Sequence, residues 1–112
     1  MIYKLIDAPA WDQAQARGTF EGSPVDLADG FIHFSAADQA QETARRHFRG
    51  VEGLVLLAVE AEALGAGLKW EPSRGGALFP HLYGPMPVSA VRWSRALSLD
   101  ADGVAELGAL EP

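Results

Sequence analysis

The feature that most constrains this fold is a continuous apolar run from Leu54 to Val59, near the middle of a 112-residue chain. A strand-length run without polar alternation is typical of a central strand that is buried on both faces. The hydrophobic share of 48% is enough for one core and too high for a disordered segment. The length predicts a single domain, and the run is far too short to span a bilayer.

The first third of the chain predicts a strand and a helix. Ile2 to Ile6 forms the strand, Asp7 caps the helix, and Gly18 is a natural helix end. Residues 21–29 then predict a turn-rich connection.

A second helix is predicted directly after a short strand. Phe31 to Phe34 forms the strand, and Ser35 with Asp38 resembles a capping box at the start of the helix. An apolar stripe runs along this helix, and Gly50 ends it.

The last third of the chain predicts two more strands. They run from Leu68 to Glu71 and from Val88 to Leu99. Pro80 confines the segment from Phe79 to Tyr83 to a sheet edge, a strand start or a loop, because proline lacks a backbone N–H. The order β-α-β-α-β-β-β predicts an α+β fold with a small, curved, mostly antiparallel sheet and two helices.

Charge divides the chain unevenly. The net charge is −6, but four of the fifteen acidic residues and none of the nine basic residues lie after residue 99. We therefore predict a near-neutral domain over residues 1–99 and an acidic C-terminal tail over residues 100–112. A general nucleic-acid binder needs a basic surface, which this composition does not supply.

The chain contains no cysteine. This excludes disulfides, thiolate metal sites and a cysteine nucleophile, and it predicts a cytoplasmic protein. The N-terminus is typical of a strand rather than a signal peptide, so no membrane partner is expected.

Two short segments each place a histidine two residues before a hydroxyl side chain. In the first, His33 precedes Ser35, and alternation in a strand puts both on one face. The helix predicted at Ser35 would direct its N–H groups toward an anion such as phosphate, and Gln39 lies one turn further on. The alternative is a histidine buried in the core, with Ser35 acting only as a helix cap.

In the second segment, His81 precedes Tyr83 between two prolines. Pro80 and Pro85 stiffen the backbone, and Gly84 allows close approach or a positive φ. A rigid segment of this kind holds His81 and Tyr83 ready for a ligand, with Tyr83 able to stack on a flat ring. The alternative is an aromatic turn that closes the end of a sheet.

Glu71 ends a strand beside Trp70 and Pro72, where a carboxylate can act as a general base or accept from ribose hydroxyls. A solvated strand end is the simpler interpretation of Glu71 alone. His33, His81 and Glu71 contain no local pair of metal ligands, so no metal site is predicted.

Three motifs taken in order carry a resemblance to a known family. They are Asp29 to Gln39, Trp70 to Pro72 and Phe79 to Pro85, and together with the Met-Ile-Tyr-Lys start they resemble the domain-of-unknown-function 952 family over residues 1–99. The resemblance implies a small bacterial protein with a fold like that of the ADP-ribosyltransferases, which hold NAD in a cleft between strands.

The resemblance also implies roles for individual residues. His33 matches the strand histidine that contacts a ribose hydroxyl, Tyr83 or His81 matches the aromatic or second-histidine position, and Glu71 is a candidate for the acid that assists ribose chemistry. The Gln/Glu-x-Glu motif near the C-terminal strand is absent.

Three functional hypotheses follow. The first is a nucleotide-handling enzyme of the ADP-ribosyl- or phosphotransferase type with NAD as substrate. Its catalytic residues would be His33, His81 and Glu71, with Ser35, Gln39, Trp70, Tyr83 and Gly84 binding the ligand. The second is a non-catalytic small-ligand binding module with the same pocket, and the third is an interaction domain whose motifs only build the fold.

Overall fold

The computed structural model describes residues 1–112, apart from the side chain of Arg74. It is an α+β fold in which each described strand pair is antiparallel. The strands are β1 (Ile2–Asp7), β2 (Thr19–Phe20), β3 (Ile32–His33), β4 (Leu54–Val59), β5 (Leu68–Pro72), β6 (Leu78–Leu82), β7 (Met86–Pro87) and β8 (Val91–Ala96). The α-helices are α1 (Ala8–Arg17), α2 (Pro24–Asp29) and α3 (Ala40–His47), and 3₁₀ segments cover Ala61–Gly67, Arg74–Gly76 and Val88–Ala90.

The strands form three sheets, whereas the sequence predicts one. Their orders are β1-β4-β8, β2-β7 and β3-β6-β5. The sheets separate because β2, β3 and β7 are two residues long and each forms one short ladder. A single bridge between Tyr3 and Ser35 links the β3-β6-β5 sheet to β1.

The predicted central strand is confirmed as β4, which is buried along its whole length. Val55, Leu57 and Val59 belong to one apolar cluster with Trp11 and Ala14 of α1. The alternate residues of β4, with Ala40 and Ala44 of α3, belong to a second cluster. The sheet β1-β4-β8 is therefore covered by a helix on each face.

The first helix follows its prediction. Asp7 Oδ1 accepts a hydrogen bond from the N–H of Ala10 at 2.8 Å. Gly18 has φ 83° and donates its N–H to the carbonyl of Ala14. This left-handed end is a conformation that glycine adopts without strain.

The turn-rich stretch predicted over residues 21–29 contains a helix, α2, so the fold has three α-helices where two are predicted. Ser23 and Asp26 form a capping box around Pro24, which occupies the first turn. The side chain of Asp26 is buried beneath this helix. A single turn with exposed Val25 and Leu27 has too little apolar periodicity to be recognised.

The second predicted helix begins at Ala40, five residues later than Ser35, and the predicted capping box is wrong. The backbone of Ser35 is still extended, because its N–H and carbonyl both bond to Tyr3. Its hydroxyl contacts Thr43 Oγ1 at 3.0 Å. The side chain of Gln39 reaches back instead, and its Oε1 accepts from the N–H of Ala36 at 2.9 Å.

The strand β6 lies at the centre of its sheet, so the confinement of Pro80 to an edge, a strand start or a loop is wrong. The N–H of Phe34 donates to the carbonyl of Pro80 at 3.0 Å. In antiparallel pairing, the N–H that proline lacks would face the carbonyl of Phe34. The pairing of β3 with β6 ends next to Pro80, so the proline removes only the last hydrogen bond between these two strands. The pairing of β6 with β5 is continuous through Pro80.

Residues 100–112 pack onto the rest of the molecule. Val104, Ala105 and Leu107 are buried, the latter two in the cluster on the α3 side of the sheet. The hydroxyl of Tyr3 donates to the carbonyl of Glu111 at 2.8 Å. The division of the chain at residue 99 remains a prediction. No helix among the described residues is long and apolar enough to cross a membrane.

Candidate functional site

The two histidine segments lie side by side on the sheet β3-β6-β5. His33 of β3 and His81 of β6 are direct cross-strand partners. Their ring centroids are 5.5 Å apart with planes at 68°. The predicted adjacency of the two segments is therefore a property of strand register.

Each imidazole is held by a carboxylate. His33 Nδ1 lies 2.6 Å from Asp26 Oδ1, and His33 Nε2 lies 2.9 Å from Asp29 Oδ2. An ionised carboxylate only accepts, so both contacts are hydrogen bonds when both ring nitrogens carry a proton. The side chain of His33 is 32% exposed and Asp29 is exposed, whereas Asp26 is buried.

Asp26 connects this histidine to the first strand. Its Oδ2 lies 3.1 Å from Lys4 Nζ and accepts from the N–H of Ser23 at 2.8 Å. Lys4 Nζ also donates to the carbonyl of His33 at 2.9 Å. Lys4 and Asp26 thus form a buried ion pair that fixes the position of β3 over β1.

Burial and pairing act against each other in this ion pair. Burial lowers the pKa of Lys4 below its usual value, although Asp26 opposes the change. Burial alone would raise the pKa of Asp26, but Lys4 and the hydrogen bonds from Ser23 and His33 bring it below its usual value. Asp26 is therefore an ionised hydrogen-bond acceptor at neutral pH.

A second carboxylate holds His81. Glu71 Oε1 lies 2.8 Å from His81 Nδ1 and accepts from the hydroxyl of Tyr83 at 2.8 Å. The hydrogen bonds from His81 and Tyr83 lower the pKa of Glu71, and the bond to Glu71 raises the pKa of Tyr83. The structure thus brings Glu71 into contact with both His81 and Tyr83, and the catalytic and ligand-binding roles predicted for these residues remain predictions.

Phe31 joins the two halves of the site. Its ring stacks on His81 with centroids 4.1 Å apart, and lies 4.6 Å from the ring of His33 and 5.3 Å from that of Tyr83. His81 is only 5% exposed, whereas Tyr83 is 45% exposed. The accessible part of the site therefore consists of Tyr83, His33 and the carboxylates of Asp29 and Glu71.

Lys69 extends the row of basic side chains across the sheet. It is the cross-strand partner of His81 on β5, so Lys69, His81 and His33 occupy one row. It also lies two residues from Glu71, on the same face of the strand, and contributes to the lowered pKa of that carboxyl. We name the outer face bearing these residues and Asp29, Phe31 and Tyr83 the histidine face.

Three predicted ligand residues lie away from the histidine face. Ser35 is buried against Thr43. Gln39 bonds to Ala36 and, through Nε2, to the carbonyl of Leu78 at 2.8 Å. Trp70 alternates with Glu71 along β5 and points to the opposite face of the sheet. Gly84 follows Tyr83 and has the predicted positive φ, at 144°.

Two clefts flank these segments, and neither is lined by His33 or His81. One, of about 300 Å³, is lined by Asp38, Gln39, Glu42, Arg46, Gly75 and Phe79. The other, of about 550 Å³, contains Trp70. Among the side chains that the structure describes, no group of three or more His, Asp or Glu residues could hold a metal ion.

Sequence reasoning missed Lys4, Asp26, Asp29 and Phe31 as members of the site. Two signals could have found the buried pair. Lys4 lies between Ile2 and Ile6 on the same face of the first strand. The two isoleucines require that face to be buried, and a buried lysine needs a carboxylate partner. The segment from Ser23 to Asp26 has the spacing of a capping box with proline in the first turn.

The fold and these contacts define a small α+β protein that holds two histidine–carboxylate pairs against each other on neighbouring antiparallel strands. The family model for "Protein of unknown function (DUF952)" matches residues 5–94. The chain belongs to this family.

Solved structures of one related protein are similar to this chain along nearly its whole length. The crystal structure of protein CC0527 from Caulobacter crescentus is 65% identical, with a TM-score of 0.93, and the match covers 96% of this chain and 94% of that one. A crystal structure of its double mutant is 64% identical with the same TM-score and coverage. Its solution NMR structure is 65% identical with a TM-score of 0.86, covering 96% and 92%. No curated protein sequence matches the chain.

Proposed function

We propose that this protein is a nucleotide-handling enzyme of the ADP-ribosyltransferase type, which binds NAD or an ADP-ribose-like ligand on the histidine face. The observation that carries the proposal is the pairing of His33 with His81, each oriented through Nδ1 by a carboxylate. We also propose that the fold is ADP-ribosyltransferase-like. Its support is the resemblance carried by the sequence motifs and a histidine site built on one small antiparallel sheet, β3-β6-β5.

The exposed groups of the histidine face suit the parts of a nucleotide. The ring of Tyr83 offers an apolar surface for a flat base or nicotinamide ring. Asp29 and Glu71 are acceptors for ribose hydroxyl groups, and Lys69 supplies a cation for phosphate. Asp29 occupies His33 Nε2 in this structure, so a ribose hydroxyl on that nitrogen would displace the aspartate.

His81 is the residue we assign to proton transfer. Its Nδ1 donates to Glu71, which fixes the tautomer and leaves Nε2 as the nitrogen that takes a proton. In ribosyl transfer from NAD, the bond between nicotinamide and ribose C1′ breaks and nicotinamide leaves with the electron pair. A bond from the acceptor oxygen to C1′ forms, and the acceptor's proton passes to Nε2 of His81, which requires the ring of Phe31 that covers His81 in this structure to move aside.

One observation favours a second function, a non-catalytic nucleotide-binding module. Phe31 covers His81, which is almost inaccessible to solvent. A histidine so enclosed would orient Glu71 and Tyr83 for binding without touching a reacting atom. Turnover separates this function from the first, because a binding module releases no nicotinamide.

The test is calorimetric titration with NAD and ADP-ribose, followed by chromatography for released nicotinamide. The wild type should bind at millimolar ligand or better, and His33→Ala and His81→Asn should each weaken binding at least about tenfold, the loss expected for a buried or charge-assisted hydrogen bond. His47→Ala on α3 is the matched control, since that histidine is exposed and outside the face. Absence of binding by folded wild-type protein at millimolar NAD and ADP-ribose would refute the proposal.

A further inference from the structure

The cleft that contains Trp70 is separate from the histidine face and is not used by the proposed function. It has a volume of about 550 Å³, within the range of small-molecule sites. Its lining is mostly apolar and consists of Met1, Ile2, Ala36, Ala37, Asp38, Ala61, Trp70, Leu110 and Pro112. Trp70 and Glu71 alternate along β5, so the sheet itself separates this cleft from the histidine face.

Trp70, which lines this apolar cleft, is 47% exposed. No described side chain forms a ring pair or a cation contact with it. A tryptophan face is the best aromatic surface for an organic cation, and its apolar area also binds hydrocarbon. Leaving it exposed costs hydrophobic free energy that a ligand would recover.

Asp38 supplies an acceptor on the same cleft. Its carboxylate makes no hydrogen bond or ion pair with any described residue. The ammonium of Met1, a cation on the same lining, donates to the carbonyl of Pro112 at 3.3 Å. The net charge of −6 attracts cations and repels anions at longer range.

We propose that the Trp70 cleft binds a hydrophobic amine, a small organic cation with an apolar body. The apolar body lies in the cleft against Trp70, and the ammonium group lies between the indole face and Asp38. This site is independent of nucleotide binding, since none of its residues belongs to the histidine face.

The probe is 2-phenylethylamine, and its matched control is 3-phenylpropionate, which has a similar body and the opposite charge. Each is titrated while the indole N–H signals of Trp11, Trp70 and Trp93 are followed by NMR. The amine should shift the Trp70 signal with a millimolar dissociation constant and leave buried Trp11 unchanged. The dissociation constant of the acid should be up to about fivefold larger than that of the amine, because the acid lacks the exposed ion pair with Asp38.

Two pairs of variants test the recognition groups. Asp38→Asn should reduce the preference for the amine, and Trp70→Ala should abolish the binding of both probes, measured by calorimetry. Asp12→Asn and Trp93→Ala change another exposed carboxylate and another exposed indole outside the cleft and should have no effect. Equal binding of amine and acid, or an unshifted Trp70 signal at saturating amine, would overturn the proposal.

Discussion

Asp26 is the residue through which the site is connected to the fold. It accepts from Lys4, from the backbone of Ser23, and from both the backbone and the ring of His33. These contacts join β1, α2 and β3, so the carboxylate sets the position of His33 and stabilises the core at the same time. The histidine and its strand are predictable from the sequence, whereas the partner depends on a one-turn helix and a buried lysine.

Loss of the charge on Asp26 should destabilise the protein strongly. Asp26→Asn leaves Lys4 buried without its counter-charge, so we expect the free energy of unfolding to fall by about 3–5 kcal/mol. Asp29→Asn, which changes the exposed carboxylate on the same histidine, should cost less than about 1 kcal/mol. Urea denaturation of both variants measures the difference, and equal effects would contradict the assigned role of Asp26.

The lowered pKa of Asp26 also makes stability depend on pH. A carboxyl group whose pKa is lowered by folding stabilises the native state above its unfolded pKa of about 3.9. That contribution is lost as the pH falls through the lower, folded value. The free energy of unfolding of the wild type should therefore decrease below about pH 4, and more steeply than that of Asp26→Asn. Parallel pH profiles for the two proteins would show that Asp26 is not the group responsible.

At the scale of the elements, local signals predict those segments whose partners lie nearby in sequence. The cap at Asp7 and the helix end at Gly18 are local signals of this kind, and the structure contains both. The placement of Ile32 and Phe34 on one buried face is another, and both residues are buried. The start of α3 is set by a distant partner instead. Ser35 pairs with Tyr3, 32 positions earlier in the chain, and this pairing delays the helix until Ala40.

The start of α3 can be tested by comparing two alanine variants. Gln39→Ala removes the bonds to Ala36 and Leu78 and should cost about 1–2 kcal/mol. Ser35→Ala should cost about 0.5–1 kcal/mol, because Thr43 Oγ1 still bonds to the carbonyl of Gln39. Thermal denaturation followed by circular dichroism compares them. A larger loss for Ser35→Ala would favour the capping box that the sequence predicts.

At the scale of the whole molecule, β4 organises two apolar layers. The apolar run predicts this strand and its burial, because burial on both faces requires continuous apolar residues. The division into three sheets is not predictable in the same way, since two-residue strands carry almost no periodicity. The site follows the same rule: His33 and His81 are visible in the sequence, but their cross-strand register and the burial of His81 depend on sheet pairing.

The C-terminal segment should contribute to the stability of the whole domain. Leu107 is 1% exposed and packs beneath α3, so Leu107→Ala should lower the free energy of unfolding by about 2–5 kcal/mol. Leu110→Ala is the matched control and should cost less, because Leu110 is only partly buried. Guanidinium denaturation measures both. A negligible effect of Leu107→Ala would mean that residues 100–112 are a detached tail.

The central claim is that His33 and His81 form one ligand site, and imidazole NMR signals test it most directly. In a titration of the wild type with ADP-ribose, the ring signals of His33 and His81 should shift together and give the same dissociation constant. The ring of His47 should remain unchanged. A response of one histidine without the other, or of neither at millimolar ligand, would contradict the account.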